Sequence, residues 1–214
     1  MRGDIIIVEE HHRAAAADIV AHLLPAIRAR HDRYTITVAG ESGSGKSETA
    51  KALEEELGRH GVNAGILQQD DYFVYPPRTN HEARVEDISW VGANEVHLDL
   101  LDEHLASARA GATSLEKPLV IYEDDSITTE VMSLAGLEVV IAEGTYTSLL
   151  ANVDTRIFIA RNRLETLAAR QNRGREAMDP FIEQVLEIEH AIIGPQVERA
   201  DIVITRDYAV EFNT

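Results

Sequence analysis

Residues 40–47 read Gly-Glu-Ser-Gly-Ser-Gly-Lys-Ser and match the phosphate-binding loop pattern G-x-x-x-x-G-K-[ST] in full. An apolar run precedes the motif, and a helix-forming run, SETAKALEEEL, follows it. Glycines let successive N–H groups turn inward around an anion, and the N-terminus of a following helix adds further donors. The pattern therefore predicts a nucleoside triphosphate site, with a flexible loop capped by Ser47 as the alternative. The expected nucleotide-binding residues are Gly40, Glu41, Ser42, Gly43, Ser44, Gly45, Lys46, Ser47 and Glu48.

Within this loop, two side chains could take part in chemistry. Lys46 is one of three lysines, and it would reach the β- and γ-phosphates, which makes it a catalytic candidate. The Ser47 hydroxyl would bind Mg²⁺. The N-K-x-D motif typical of guanine recognition is absent from the sequence, which favours ATP over GTP.

Carboxylates end two of the apolar runs. GILQQ leads into Asp70 and Asp71, and VVIA leads into Glu143. Ligands gather at the carboxyl ends of parallel strands, so we expect these acids near the phosphates. Asp70 could orient an acceptor hydroxyl and accept its proton, or hold Mg²⁺ through water. The expected metal-binding residues are Ser47, Asp70 and Glu143, whereas turn-forming or strand-ending acids are the alternative.

A basic stretch follows later in a strongly acidic chain. Between residues 156 and 175 the sequence has six arginines and one acid, Glu165. Guanidinium groups suit triphosphate oxygens and the charge of a transferring phosphoryl group. We expect Arg170 at the nucleotide and Arg173 and Arg175 at the reacting phosphate, against the alternative of a solvated arginine face.

The elements that must position these residues alternate between apolar runs and helical patterns, which predicts an α/β fold with a parallel sheet. Strands are predicted at 4–8, 34–40, 63–69, 137–144, 155–160 and 200–205, and helices at about 11–30, 46–60, 94–110, 162–173 and 178–193. Residues 71–136 interrupt this alternation with one helix and two short strands around an acidic turn. We interpret them as an insertion within a single domain, residues 1–214.

Composition excludes several classes of protein. The formal charge of -17 argues against a general nucleic-acid binder, because phosphate backbones would be repelled. There is no apolar run near 18 residues, so no membrane span is expected. The N-terminus lacks a signal-peptide cleavage site, and the absence of cysteine is compatible with a reducing cytosol, so a cytoplasmic protein is expected.

In this order, the motifs resemble those of the uridine kinase/phosphoribulokinase family. The resemblance rests on GESGSGKS, LQQDDYF, PLVIYE, VVIAEG, RGR and ERADIVI, and it spans residues 34–205. It implies a doubly wound P-loop kinase fold with a helical, arginine-bearing lid at about 161–178 and a β-hairpin that closes over the acceptor. By position it implies that Asp70 is the catalytic carboxylate, that Arg173 and Arg175 belong to the lid, and that Tyr122 contacts the acceptor.

The chain departs from that family where uridine kinases carry an F-D-H-P-D-A-F-D segment, whose acid grips the ribose. Here the sequence is EDISWVGANEVHLD, with Asn94 or Glu95 as the candidates for that role. Arg78, His81 and Arg84 could instead receive a phosphate or carboxylate. The expected substrate-binding residues are Asp71, Tyr72, Arg78, His81, Arg84, Tyr122 and Glu143.

The expected function is an ATP- and Mg²⁺-dependent kinase acting on a small-molecule hydroxyl, with a pyrimidine nucleoside, uridine or cytidine, as first choice. A sugar-phosphate or small hydroxy-acid kinase is the alternative within enzymes, and a nucleotide-binding regulatory protein is the alternative outside them. No nucleic-acid or membrane partner is expected, and a homo-oligomer is compatible with the sequence. His11 and His12 lie far from the motifs and are predicted to be exposed.

Overall fold

The computed structural model describes residues 6–162, 165 and 180–213. Its main sheet has six strands in the order β2-β5-β1-β6-β7-β8, and β3 and β4 form a separate hairpin. In chain order the strands are β1 (Tyr34–Gly40), β2 (Ala64–Gln68), β3 (Ser114–Ile121), β4 (Ser126–Ser133), β5 (Val139–Glu143), β6 (Thr155–Ile159), β7 (Ile202–Ile204) and β8 (Val210–Phe212). All pairings in the main sheet are parallel except that of β8 with β7.

Helices cover both faces of this sheet. The described ones are α1 (Glu10–Arg28), α2 (Lys46–Arg59), α3 (Pro77–Glu86), α4 (Leu98–Arg109) and α5 (Pro180–Ile193). Successive residues of a strand point to opposite faces, so Ile141 packs in the core under α1 and α2 while Val140 packs in the core under α4. The central strands are therefore apolar without alternation, and burying each large side chain contributes roughly 1.5–3 kcal/mol.

Most predicted elements match the structure, and the doubly wound α/β class is confirmed. The strand predicted at 4–8 is wrong at residues 6–8, which lie outside any strand, whereas residues 4 and 5 lie outside the described residues; β8 forms the sheet edge beside β7. Helix α3 was not predicted, and the helix predicted from residue 94 begins at Leu98, after a short 3-10 turn at Ala93–Glu95. The helix predicted at 162–173 lies almost entirely outside the described residues.

The hairpin and α3 hold each other in place. Asp125, in the turn between β3 and β4, accepts hydrogen bonds from the backbone N–H groups of Arg78 and Thr79 at the start of α3. Since Pro76 precedes the helix and supplies no side-chain cap, the hairpin turn satisfies donors that the helix leaves open. Among the described helices, none is long and apolar enough to cross a bilayer.

Candidate active site

The phosphate loop joins β1 to α2 at the carboxyl edge of the sheet. Gly43 and Gly45 have φ values of 74° and 98°, and Gly45 lies directly before the first residue of α2. A Cβ on Gly45 would lie 3.0 Å from His12 Nε2 and 3.2 Å from the Tyr208 hydroxyl. Both the backbone conformation and the space therefore require glycine here, and the loop places the N-terminus of α2 at an anion site.

Two loop side chains point to complementary partners. The Lys46 ammonium donates to the Glu41 carbonyl oxygen at 3.0 Å, so it lies across the loop. The Ser47 hydroxyl donates to Glu143 Oε1 at 3.0 Å, which brings together two of the three predicted metal ligands. A hydroxyl and carboxylate oxygens are the hard donors that Mg²⁺ prefers, so these residues fit that ion.

Glu143 owes its position to strand register. It pairs with Val38 of β1 on one side and with Gln68 of β2 on the other, so β2 and β5 end level while β1 runs two residues further, to Gly40. The next residue, Gly144, has a φ of 155°, and a Cβ there would lie 2.2 Å from Gln69 Cβ. The E-G pair of VVIAEG thus lets the turn after β2 pack against the end of β5.

Electrostatics at Glu143 also point to a cation site. Burial, and then the negative charge of Asp70, raise the pKa of this carboxyl to about 7, against the opposing effects of Lys46 and the Ser47 hydrogen bond. A pair of nearby carboxylates in a buried position becomes fully ionised more readily when a cation joins it. Asp70 and Glu143 therefore interact electrostatically, and their shared role at a metal ion stays a prediction.

Asp70 opens on a cleft between α3, the hairpin and the end of β2. The cleft has an empty volume of about 560 Å³, including the part open to solvent. It is lined by Asp70, Phe73, Tyr75, Pro77, Asn80, Arg84 and Tyr122. Of the predicted substrate residues, Arg84 and Tyr122 lie here beside Asp70. A small molecule in this cleft would have apolar ring surfaces on its sides and a carboxylate at one end.

The wall of this cleft contains a charge network. Glu95 is fully buried and accepts from Arg84 Nε at 2.8 Å, from Arg84 Nη2 and from Asn80 Nδ2 at 3.3 Å. Arg84 Nη2 also donates to Glu189 of α5 at 3.2 Å. Glu95, a candidate for the ribose-gripping acid, is thus engaged inside the wall, whereas Asn94 is exposed.

The structure turns other predicted substrate residues away from this cleft. Asp71 is buried and accepts from Lys117 Nζ at 2.8 Å and from the Val120 N–H at 3.1 Å, so it fixes strand β3. Tyr72 is fully buried and its hydroxyl bonds His104 Nδ1. We expected both at the substrate; the structure instead engages both with protein partners, and neither lines the cleft beside Asp70.

The exposed residues Arg78 and His81, also predicted at the substrate, have contacts of their own. Arg78 Nη2 donates to the Glu123 carbonyl oxygen at 2.7 Å, in the hairpin turn, and the His81 ring meets Phe181 of α5 edge to face. Neither lines the cleft beside Asp70. The predicted lid residues Arg170, Arg173 and Arg175 lie outside the described residues.

Sequence reasoning missed a set of residues behind the phosphate loop. His12 is buried, contrary to prediction, and its Nδ1 accepts from the Glu9 N–H while Nε2 faces Gly45. Burial, and then the neighbouring His11, lower the pKa of His12 to about 4, so it is neutral near pH 7. Tyr208 accepts from Arg161 Nη1 at 2.6 Å beside the same glycine. No motif marks these contacts, because α1 lies well before the loop in sequence.

A comparison with family models decides the classification. The phosphoribulokinase/uridine kinase family model matches residues 35–212. The chain belongs to this family. Members of the phosphoribulokinase/uridine kinase family are ATP-dependent kinases that phosphorylate hydroxyl groups of small molecules, so the enzyme class predicted from the sequence is confirmed.

Curated relatives differ in what they act on. The bifunctional alpha-galactosidase/sucrose kinase AgaSK of Mediterraneibacter gnavus is 29% identical over 193 residues, which cover 84% of this chain and 21% of that protein. The chain thus spans about a fifth of the length of that relative. The uridine kinase of Ligilactobacillus salivarius is 28% identical over 181 residues, covering 79% of this chain and 83% of that enzyme.

Solved structures share the fold at lower identity. A putative fructose transport system kinase from Silicibacter sp. TM1040 superposes with a TM-score of 0.67 at 18% identity, covering 86% of this chain and 94% of that one. D-glycerate 3-kinase from Cryptococcus neoformans superposes with a TM-score of 0.64 at 14% identity, covering 94% of this chain and 99% of that one. The P-loop kinase architecture is therefore shared by enzymes whose names indicate different acceptors.

Proposed function

We propose that this family member transfers the γ-phosphoryl group of ATP, with Mg²⁺, to a hydroxyl of an uncharged, hydroxyl-rich small molecule. A pyrimidine nucleoside, uridine or cytidine, is the first candidate. The observation that carries the proposal is the cleft beside Asp70, which combines one carboxylate and three aromatic side chains with an arginine that is already paired.

Each catalytic task falls to a residue at the carboxyl edge of the sheet. Lys46 would leave the Glu41 carbonyl for the β- and γ-phosphates, a short movement within the loop. Ser47, Glu143 and Asp70 would hold Mg²⁺, directly or through water, and the ion would neutralise charge on the same phosphates. Asp70, on the cleft side, would align the acceptor hydroxyl and take its proton, a contribution of roughly 10²–10⁴ in rate.

Charge pairing favours an uncharged acceptor. Within the described residues, Arg84 is the cation that lines the cleft, and Glu95 and Glu189 already balance it. A phosphate or carboxylate on the acceptor would have to compete with both acids. Phe73, Tyr75 and Tyr122 instead offer ring faces, which suit a nucleobase or the apolar face of a sugar.

A second candidate is an unphosphorylated sugar. Glu95, one of the two candidates for the ribose-gripping acid of uridine kinases, is buried and bonded to Arg84, so it is not exposed to a ribose. The sucrose kinase part of AgaSK is a relative whose name indicates a sugar acceptor. This candidate keeps the same roles for Asp70 and the phosphate loop.

The test is a turnover screen with ATP and Mg²⁺ over uridine, cytidine, fructose, sucrose, ribulose 5-phosphate and glycerate. We expect the highest kcat/KM for an uncharged acceptor, and we expect Asp70→Asn to lose that turnover. A best acceptor that carries a phosphate or carboxylate would refute the argument from charge pairing. Tight ATP binding without turnover of any acceptor would favour the regulatory alternative.

A further inference from the structure

Helix α5 directly follows the predicted lid segment in the chain and packs against the acceptor insertion. At its start, the Phe181 ring meets His81 of α3 edge to face, with centroids 5.6 Å apart. Near its end, Ile192 lies so close to Gly92 that a Cβ there would be 3.2 Å from Ile192 Cδ1. Ile193 is fully buried in the core under α4. The helix is thus anchored at both ends.

One residue of α5 contacts the phosphate loop. His190 Nδ1 lies 2.6 Å from Glu41 Oε1, and because a carboxylate accepts, the ring nitrogen donates. Glu41 is the second residue of the loop, and its side chain is 8% exposed. A buried carboxylate beside bound phosphates would be repelled by them, so a donor on Glu41 matters most when the nucleotide is present.

The preceding residue contacts the acceptor cleft. Glu189 Oε1 accepts from Arg84 Nη2 at 3.2 Å, and Arg84 is held on its other side by the buried Glu95. Consecutive residues of an α-helix point about 100° apart, so neighbours can face two different sites. Here one faces the nucleotide loop and the other faces the wall beside Asp70.

We propose that α5 couples the two substrate sites, with His190 positioning Glu41 in the phosphate loop and Glu189 positioning Arg84 at the acceptor cleft. This inference rests on the proposed kinase function. Phosphates in the loop favour the Glu41–His190 contact, which holds α5 where Glu189 meets Arg84, so the nucleotide prepares the acceptor cleft. By thermodynamic reciprocity, the acceptor must tighten nucleotide binding by the same factor.

The test measures binding of the β,γ-imido analogue of ATP with Mg²⁺ by calorimetry, with and without the best acceptor from the turnover screen. In the wild type we expect the acceptor to tighten analogue binding roughly 5-fold or more. His190→Ala should weaken analogue binding roughly 3- to 10-fold, the range for losing one ordinary hydrogen bond. It should also abolish the effect of the acceptor, with an unchanged melting temperature.

Two further variants separate coupling from general damage to α5. In His190→Gln, the side-chain amide can still donate to a carboxylate, so this variant should recover most of the affinity and of the acceptor effect. Glu187→Ala removes an exposed acid from the same helix and should leave both quantities as in the wild type. Equal losses in Glu187→Ala and His190→Ala would overturn the assignment to His190.

The proposal and the kinase function can fail separately. Turnover with no acceptor effect on analogue binding in the wild type would refute coupling while keeping the kinase. If no acceptor turns over, the kinase proposal fails. The affinities of the wild type and of His190→Ala for the ATP analogue still test whether His190 positions Glu41 in the phosphate loop. Unchanged analogue affinity in His190→Ala would then refute the role of His190.

Discussion

The buried ion pair between Asp71 and Lys117 offers a quantitative test of how the β3–β4 hairpin is held. The Lys117 ammonium lies 2.8 Å from Asp71 Oδ2. The Lys117 side chain is 5% exposed and the Asp71 side chain 3% exposed. Lys117→Met keeps much of the side-chain length but removes the charge. It leaves the buried Asp71 carboxylate without its ammonium partner.

Removing one member of a buried pair costs roughly 3–5 kcal/mol, because the other charge stays desolvated. At about 2–4 °C per kcal/mol for a chain of this size, the melting temperature should fall by roughly 6–20 °C. Adding Asp71→Asn removes the stranded charge while keeping an acceptor for the Val120 N–H, so the double variant should recover most of that loss. Urea unfolding and thermal melts of the single and double variants measure this.

A matched control exists in Lys51→Met. Lys51 pairs with Glu54 on the surface of α2, with a side chain that is 43% exposed, so its loss should cost less than about 1 kcal/mol. Lys117→Met should also raise the acceptor KM more than the ATP KM, because Asp71 fixes the hairpin and not the phosphate loop. If Lys117→Met is no more destabilising than Lys51→Met, the ion pair between Asp71 and Lys117 does not hold the hairpin.

Four further predictions concern the catalytic groups. Lys46→Ala should lower turnover by roughly 10²-fold or more at an unchanged melting temperature, and near-parental rates would exclude its phosphate role. Asp70→Asn should keep ATP affinity in calorimetry but lose roughly 10²–10⁴-fold in acceptor phosphorylation. Burial and the charge of Asp70 raise the pKa of Glu143 from 4.5 to about 7, so the ionised carboxyl opposes folding increasingly as pH rises through that window. The free energy of unfolding of Glu143→Gln should therefore rise relative to that of the wild type as pH increases from 4.5 to about 7, measured by urea titration without Mg²⁺. A difference between the two proteins that does not change with pH would show that Glu143 ionises as an ordinary carboxyl. Arg173→Ala and Arg175→Ala should each lower kcat at saturating ATP by roughly 10³-fold or more, whereas normal rates in both would indicate a solvated face.

Local sequence signals sufficed for the centre of the fold and for the phosphate site. The apolar run 34–40, the glycine pattern and the helical run after Lys46 are all continuous in sequence, and each matches its element in the structure. Glu143 could also be placed, because the ends of neighbouring parallel strands meet at one edge of a sheet. Its hydrogen bond with Ser47 joins residues 96 positions apart, yet topology alone brings them together.

Contacts that depend on packing between distant segments were beyond sequence reasoning. An adjacent pair of histidines before an alanine-rich helix gives no sign that one ring will lie against Gly45. The partners of Arg84 likewise come from two separate segments, Glu95 and Glu189, so its charge balance could not be read from the loop that carries it. For this reason the sequence wrongly predicted that His12 is exposed. It also suggested that Arg84 could receive an anionic substrate group, although Arg84 already forms ion pairs with Glu95 and Glu189.

The different positions of Asp70 and Asp71 follow from one short turn. The strand β2 ends at Gln68, and residues Gln69–Tyr72 form a 3-10 helix rather than a continuing strand. Within this turn Gln69 accepts from the Tyr146 N–H, Asp70 faces the cleft and Asp71 reaches the hairpin. The proposed base and the contacts that fix strand β3 are thus attached to the same four residues. The turn therefore links the position of the proposed base to that of the hairpin, so a variant that shifts the hairpin is expected to shift Asp70 as well.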